Sequence, residues 1–166
     1  MTAVVVTGQD RRTAVGHWLQ AAALNPQQAR EEWAERGFTL LECGTLFSAV
    51  RIPADLVHAA AETSDPQAVS SYLTSVLGGG PVIVDPVSQR YYALVPASTA
   101  LRWNVADTLC LGRASCLGVP SPERTEHRPG RSRWAVPMDS PGDLCVPGEV
   151  ANLVKCGRAM RAEAAR

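Results

Sequence analysis

Acidic pairs of the Asp-x-Asp or Asp-x-Glu kind are absent from this chain, and so is every Cys-x-x-Cys pair. Two-metal phosphoryl transfer relies on carboxylates two apart on one strand, so that both reach the same ions. The first absence therefore leaves that chemistry without its usual ligands. The five cysteines are Cys43, Cys110, Cys116, Cys145 and Cys156, and the closest two are six residues apart. Structural zinc sites use tight pairs, so these read as free, mostly buried thiols. No Gly-x-Ser-x-Gly elbow occurs, which removes the usual hydrolase nucleophile. The triple glycine Gly78–Gly80 follows a helix-like segment and precedes a strand-like one. A phosphate cradle needs the opposite order, so the glycines read as a helix stop.

Excess charge of one sign is missing as well. Sixteen basic residues balance sixteen acidic ones, and all the basic ones but Lys155 are arginine. A strongly basic, phosphate-seeking surface is thus excluded as a global property, though a local patch is not. No run reaches the roughly 18 apolar residues of a membrane span. The first residues, MTAVVVTGQDRR, lack a basic segment ahead of their apolar stretch, so no signal peptide and no membrane partner are expected and a cytoplasmic location follows.

What is present is a globular composition, 46% hydrophobic and 19% charged over 166 residues, enough for one domain with its own core. Apolar residues at helical spacing from Arg11 to Leu24, then Asn25-Pro26 as a cap followed by a first-turn proline, predict a helical hairpin over 11–36 that ends at Gly37. Trp18 and Trp33 are expected to bury from it against a sheet. Short apolar runs closed by Pro or Gly follow: GFTLLECGTLFSAVRIP, GGGPVIVDP, RYYALVP, CLGVP and RWAVP. They predict strands over 38–43 and 46–52 joined as a hairpin at Gly44-Thr45, a second pair over 81–85 and 90–95, a strand over 114–119, and an edge strand over 134–136. Helices are expected after Pro53, after Asp65-Pro66 and over 147–165. Residues 121–132, SPERTEHRPGRS, read as a mobile surface loop. Strand pairs rather than strand–helix alternation indicate a single α+β domain over 1–166, a mostly antiparallel sheet flanked by helices.

Few residues carry chemistry. Asp85, at the end of Val82-Ile-Val-Asp, is either a strand-end carboxylate or the opening residue of the turn that Pro86 continues. His127 lies in the polar loop, whereas His17 and His58 fall in helices. Asp139 and Asp143 bracket a loop. For nucleic acid, Arg128, Arg131 and Arg133 could clamp phosphates beside Trp134 as a stacking surface. Arg51, Arg90, Arg102, Arg113 and Arg124, with Trp103, Tyr91 and Tyr92, extend that set. The other reading of the arginine cluster is a solvated loop whose charge Glu123 and Glu126 partly cancel.

The spacing of F-S-A-V-R-I-P, G-G-P-V, Y-A-L-V-P, Trp103, C-L-G-V-P and R-W-A-V-P, from about Trp33 to Pro137, resembles small actinobacterial proteins grouped with the bifunctional DNA primase/polymerase (prim-pol) N-terminal domain. The resemblance implies an α+β domain related to archaeo-eukaryotic-type primases, in which two metals on clustered acids join nucleotides. The chain departs from that catalytic pattern. Ser48 stands where such relatives carry an acid, while Thr125-Glu126-His127 and Val84-Asp85 match two further motifs loosely and in the wrong order. Losing a metal carboxylate removes electrostatic stabilisation that phosphoryl transfer needs. The expectation is thus a catalytically degenerate domain that binds single-stranded nucleic acid or a replication or regulatory protein and uses no cofactor. Mg²⁺ or Mn²⁺ would enter only with a residual nucleotidyl transferase acting through Asp85. The alternative is a protein–protein module, for instance a homodimer.

Overall fold

A five-stranded antiparallel sheet forms the middle layer of the molecule. The structure is a computed structural model that describes residues 3–166. In chain order the elements are α1 (Gly8–Gln20), α2 (Pro26–Glu35), β1 (Phe38–Glu42), β2 (Ser48–Pro53), α3 (Ala54–Ala61), α4 (Pro66–Val76), β3 (Val82–Asp85), β4 (Arg90–Val95), a 3₁₀ turn (Ala97–Leu101), β5 (Leu109–Leu111), β6 (Cys116–Pro120), β7 (Arg133–Val136) and α5 (Pro147–Ala164). The main sheet runs β5-β2-β4-β3-β7, while β1 and β6 pair antiparallel in a separate ribbon. This is a single α+β domain, as the pattern of strand pairs implies.

Two cores result, one on each side of the main sheet. Val50, Ile52, Val84, Tyr91 and Val136 pack under α3, α4 and α5. Ala49, Ile83, Leu94 and Trp134 pack on the other face against α1, α2 and the ribbon, through Leu19, Trp33, Leu41 and Val119. The alternation of side chains along a strand divides neighbours between the two cores; on β7 a register shift opposite Val82 and Ile83 interrupts it, so that Trp134 and Val136 face opposite sides.

Local signals fix most of the helices. Asn25 accepts from the Gln28 amide and Pro26 opens α2, while Asp65 accepts from the Ala68 amide ahead of Pro66 in α4. The first helix begins earlier than the apolar period suggests, because Thr7 and Asp10 close a reciprocal capping box. Trp33 is buried and its indole N–H donates to the Val119 carbonyl at 2.9 Å. Trp18 is only half-buried, tilted against Phe47 with centroids 6.3 Å apart.

Three expectations need correction. The hairpin through Gly44-Thr45 does not form: β1 pairs with β6, and β2 pairs with β4 and β5. Between β1 and β2 the chain turns tightly, with the Gly44 amide donating to the Phe47 carbonyl at 2.7 Å. It thereby crosses from one sheet to the other and buries Phe47 completely. The apolar runs accordingly supply two sheets rather than one. Finally, only Cys43 and Cys145 of the five free cysteines are buried; desolvation pushes both thiols up to about 12.

α3 and α5 cross at close range. A Cβ built on Gly157 would collide with the Leu56 carbonyl oxygen, so the crossing depends on a residue with no side chain. Arg161 anchors the same pair, donating to the Asp55 carboxylate at 2.8 Å.

Candidate functional site

β3, β4 and β7 end together at one edge of the main sheet, and the alternation of their side chains creates a different surface on each face. In register, Ile83 lies opposite Tyr92 and Trp134, while Val84 lies opposite Tyr91 and Arg133. The first row faces α2 and the ribbon. The second faces α3 and α4.

On the first face a groove of about 540 Å³ opens between the end of α2, β6 and the segment 124–132. Arg36, Arg124 and Arg131 border it, and Phe38, Tyr92 and Leu117 contribute apolar surface. Glu35 and Asp85 also reach its rim, leaving one net positive charge among these five ionised groups. Arg124 is held in place. Its guanidinium donates to the Arg36 carbonyl at 3.1 Å and lies over Gly37, at a distance that leaves no room for a Cβ. Gly37 has φ +78°, a left-handed value that glycine takes without penalty. One residue thus ends α2 and seats a groove arginine. Arg36 is a rim group in partial ion pairing, 3.5 Å from Glu32.

A smaller hollow of about 150 Å³ continues along the loop past Arg124, Arg128, Arg131 and Arg133. There Arg128 lies 3.8 Å from Glu126, both well exposed, a pairing of little energetic weight in water. The loop is tied at its start. The Ser121 amide donates to the Gly37 carbonyl at 2.9 Å, and the Trp134 amide to the Arg124 carbonyl at 2.8 Å. Residues 126–131 are exposed.

On the opposite face a second cavity of about 150 Å³ lies between α3, the start of α4 and the end of β3. His58, Asp85, Tyr91, His127 and Arg133 line it. His58 Nε2 and the Tyr91 hydroxyl share a hydrogen bond of 3.0 Å, with the rings edge-to-face at 5.7 Å. Desolvation holds the His58 pKa below its ordinary value, opposed by Asp55. Burial likewise pushes the Tyr91 phenol up, opposed by the neighbouring Arg133. The Arg133 pKa is lowered by the same desolvation.

The residues singled out in the sequence therefore divide. Asp85, His127, Arg128, Arg131 and Arg133 converge on this edge of the sheet. Trp134 does not belong with them. It is 1% exposed, and its indole N–H donates to the Pro120 and Ser121 carbonyls at 3.1 Å, so it is a core residue that no base can stack on. Arg133 is 7% exposed, the first residue of β7, and it lines both the loop hollow with Arg128 and Arg131 and the cavity on the α3 face. Asp85 behaves as the turn residue: one oxygen accepts from the Val87 and Ser88 amides at 3.1 and 3.3 Å, the other from the Ser88 hydroxyl. Among the described residues no three His, Cys, Asp or Glu side chains converge as metal ligands. Asp139 and Asp143 are exposed and border neither the groove nor the α3-side cavity. Sequence reasoning missed Arg36 and Phe38, which reach the groove because Gly37 is tied to Ser121, a contact with no local signature. No described helix is long and apolar enough to cross a membrane.

No family model, curated protein or solved structure matches the chain.

Proposed function

We propose that the groove bordered by Arg36, Arg124 and Arg131 binds single-stranded nucleic acid without cleaving or extending it. The observation that carries this reading is the pairing of three arginines with the aromatic surfaces of Tyr92 and Phe38 in one open channel of about 540 Å³. Backbone phosphates need cations along a track, and unpaired bases need flat apolar faces beside it. Arg128 extends the track along the loop. The resemblance to prim-pol domains supports the same class of ligand.

Binding without chemistry is favoured by the state of Asp85. Its carboxylate already accepts three hydrogen bonds from its own turn, and the remaining groove carboxylate, Glu35, comes from another layer of the fold. In-line nucleotidyl transfer needs two acids presented together. A replication or regulatory protein delivering that strand is the partner this reading implies.

The test is fluorescence anisotropy with a labelled oligothymidylate at low salt. Wild type binds, and the double variant R124A/R131A and the single variant Y92A bind more weakly, while R102A, remote from the groove, binds as wild type does. Equal affinity in all four proteins removes the groove from the account. Absence of binding in wild type turns the reading to a protein–protein module. Primer extension with Mg²⁺ or Mn²⁺ that is abolished in D85N would restore the transferase.

A further inference from the structure

Arg133 is the one charged residue among the buried described residues. It is 7% exposed, yet among the described residues no carboxylate lies within ion-pairing distance and its guanidinium donates no hydrogen bond. Its nitrogens are not sealed off, since among the described residues the one buried side-chain polar atom without a partner is Glu149 Oε2; the guanidinium instead opens into the adjoining hollows, where an anion can reach it and form charge-assisted hydrogen bonds. Register explains its position. Arg133 pairs with Val84, which pairs with Tyr91, so its side chain leaves the sheet on the α3–α4 side, where it lines the cavity of about 150 Å³ and also borders the loop hollow. A single ordered water needs only about 10–15 Å³ by the same measure.

The other walls suit an anion. The His58–Tyr91 pair shares one polar hydrogen between its members and keeps a second that is free to donate. Ser64 and Pro66 bring the start of the eleven-residue helix α4 to the cavity, with its positive dipole end. Asp85 is the adverse group, but its oxygens are engaged by the 87–88 turn and none is paired with Arg133.

We propose that this cavity is a binding site for a phosphate-type oxyanion, with Arg133 as the charge partner and His58, Tyr91 and Ser64 as hydrogen-bonding walls. It is distinct from the groove and does not depend on strand binding there. The phosphate could be the free ion or the terminal phosphate of a nucleotide or oligonucleotide, and the experiment separates these.

Thermal unfolding of the full chain is followed against sodium phosphate, with sodium chloride at matched ionic strength as reference. Wild type gains stability with each increment of phosphate beyond the chloride control, as linkage requires for a ligand of the native state. R133Q loses that gain. Each variant's own unfolding temperature without phosphate is the reference for its gain. R133K keeps part of the gain. Should R133Q fail to fold, phosphate titration of wild type followed at the Arg133 Nε–H resonance replaces it, with a saturable shift expected. Equal stabilisation by phosphate and chloride, an undiminished gain in R133Q, or an unmoved Arg133 resonance overturns the site. Oligothymidylate with a 5′-phosphate then identifies the source. Tighter binding than its 5′-hydroxyl counterpart, lost in R133Q, assigns a nucleic-acid end; equal binding assigns the free ion.

Discussion

Replacing Gly37 by alanine couples the stability of the fold to the geometry of the groove. The residue has φ +78°, and a non-glycine residue there pays about 1–2 kcal/mol. The new Cβ would also occupy the space of the Arg124 guanidinium. That group is the far end of a flexible side chain, so it moves aside instead of forcing the backbone. Moving it breaks the bond to the Arg36 carbonyl, 3.1 Å in the native fold, for a further loss of about 0.5–1.5 kcal/mol. In an R124A background that second loss has already been taken, and only the backbone penalty remains. A double-mutant cycle by urea unfolding should therefore give a coupling of about 1 kcal/mol between the two sites. Gly37→Ala should also weaken oligonucleotide binding in the wild-type background but not in the R124A background. Strict additivity in stability, with equal effects on binding, would show that Arg124 is not seated over Gly37 and would remove it from the groove wall.

Gly157→Ala tests the α3–α5 crossing. Helix propensity alone favours alanine by about 1 kcal/mol, but overpacking against the Leu56 carbonyl costs about 1–3 kcal/mol or more, so a net drop in unfolding free energy is expected. His58 gives a pH signature. Its folded pKa lies below the ordinary value, so its neutral form contributes stability above the unfolded pKa of about 6.5. That contribution is lost as pH falls through the folded pKa. Asp55 on its own helix opposes the shift, and the neighbouring Tyr91 and Arg133 stay in their neutral and cationic states over this range. Denaturation curves at several pH values should show the loss in wild type and a smaller one in H58Q; identical curves would remove His58 as its source.

Much of the architecture was legible because its signals are local. Asp65-Pro66 and Asn25-Pro26 state a cap and a first helical turn, and residues 86–89 state the turn between β3 and β4. The pairing of β1 was not legible. Gly44-Thr45 looks like a hairpin turn, but burying Phe47 between the layers outweighs local closure, and the partner strand lies more than seventy residues away. β5 and the 3₁₀ turn are too short to show a period. The site shows the same division. Asp85, His127 and the arginines of 128–133 stand out by residue type, yet only register separates Arg133, aimed at the α3 side, from Trp134, buried on the other. Tryptophan in a polar neighbourhood suggested stacking; the alternation of β7 puts it in the core instead.

Anisotropy of a labelled oligothymidylate, measured on wild type across a series of salt concentrations, bears most directly on the groove as a nucleic-acid site. Each phosphate neutralised on a single strand contributes a slope of about −0.7 to the logarithmic salt dependence. Arg36, Arg124 and Arg131 together should thus give a slope of about −2, reduced by about two-thirds in R124A/R131A. A slope near zero, or one that the double variant leaves untouched, contradicts the account.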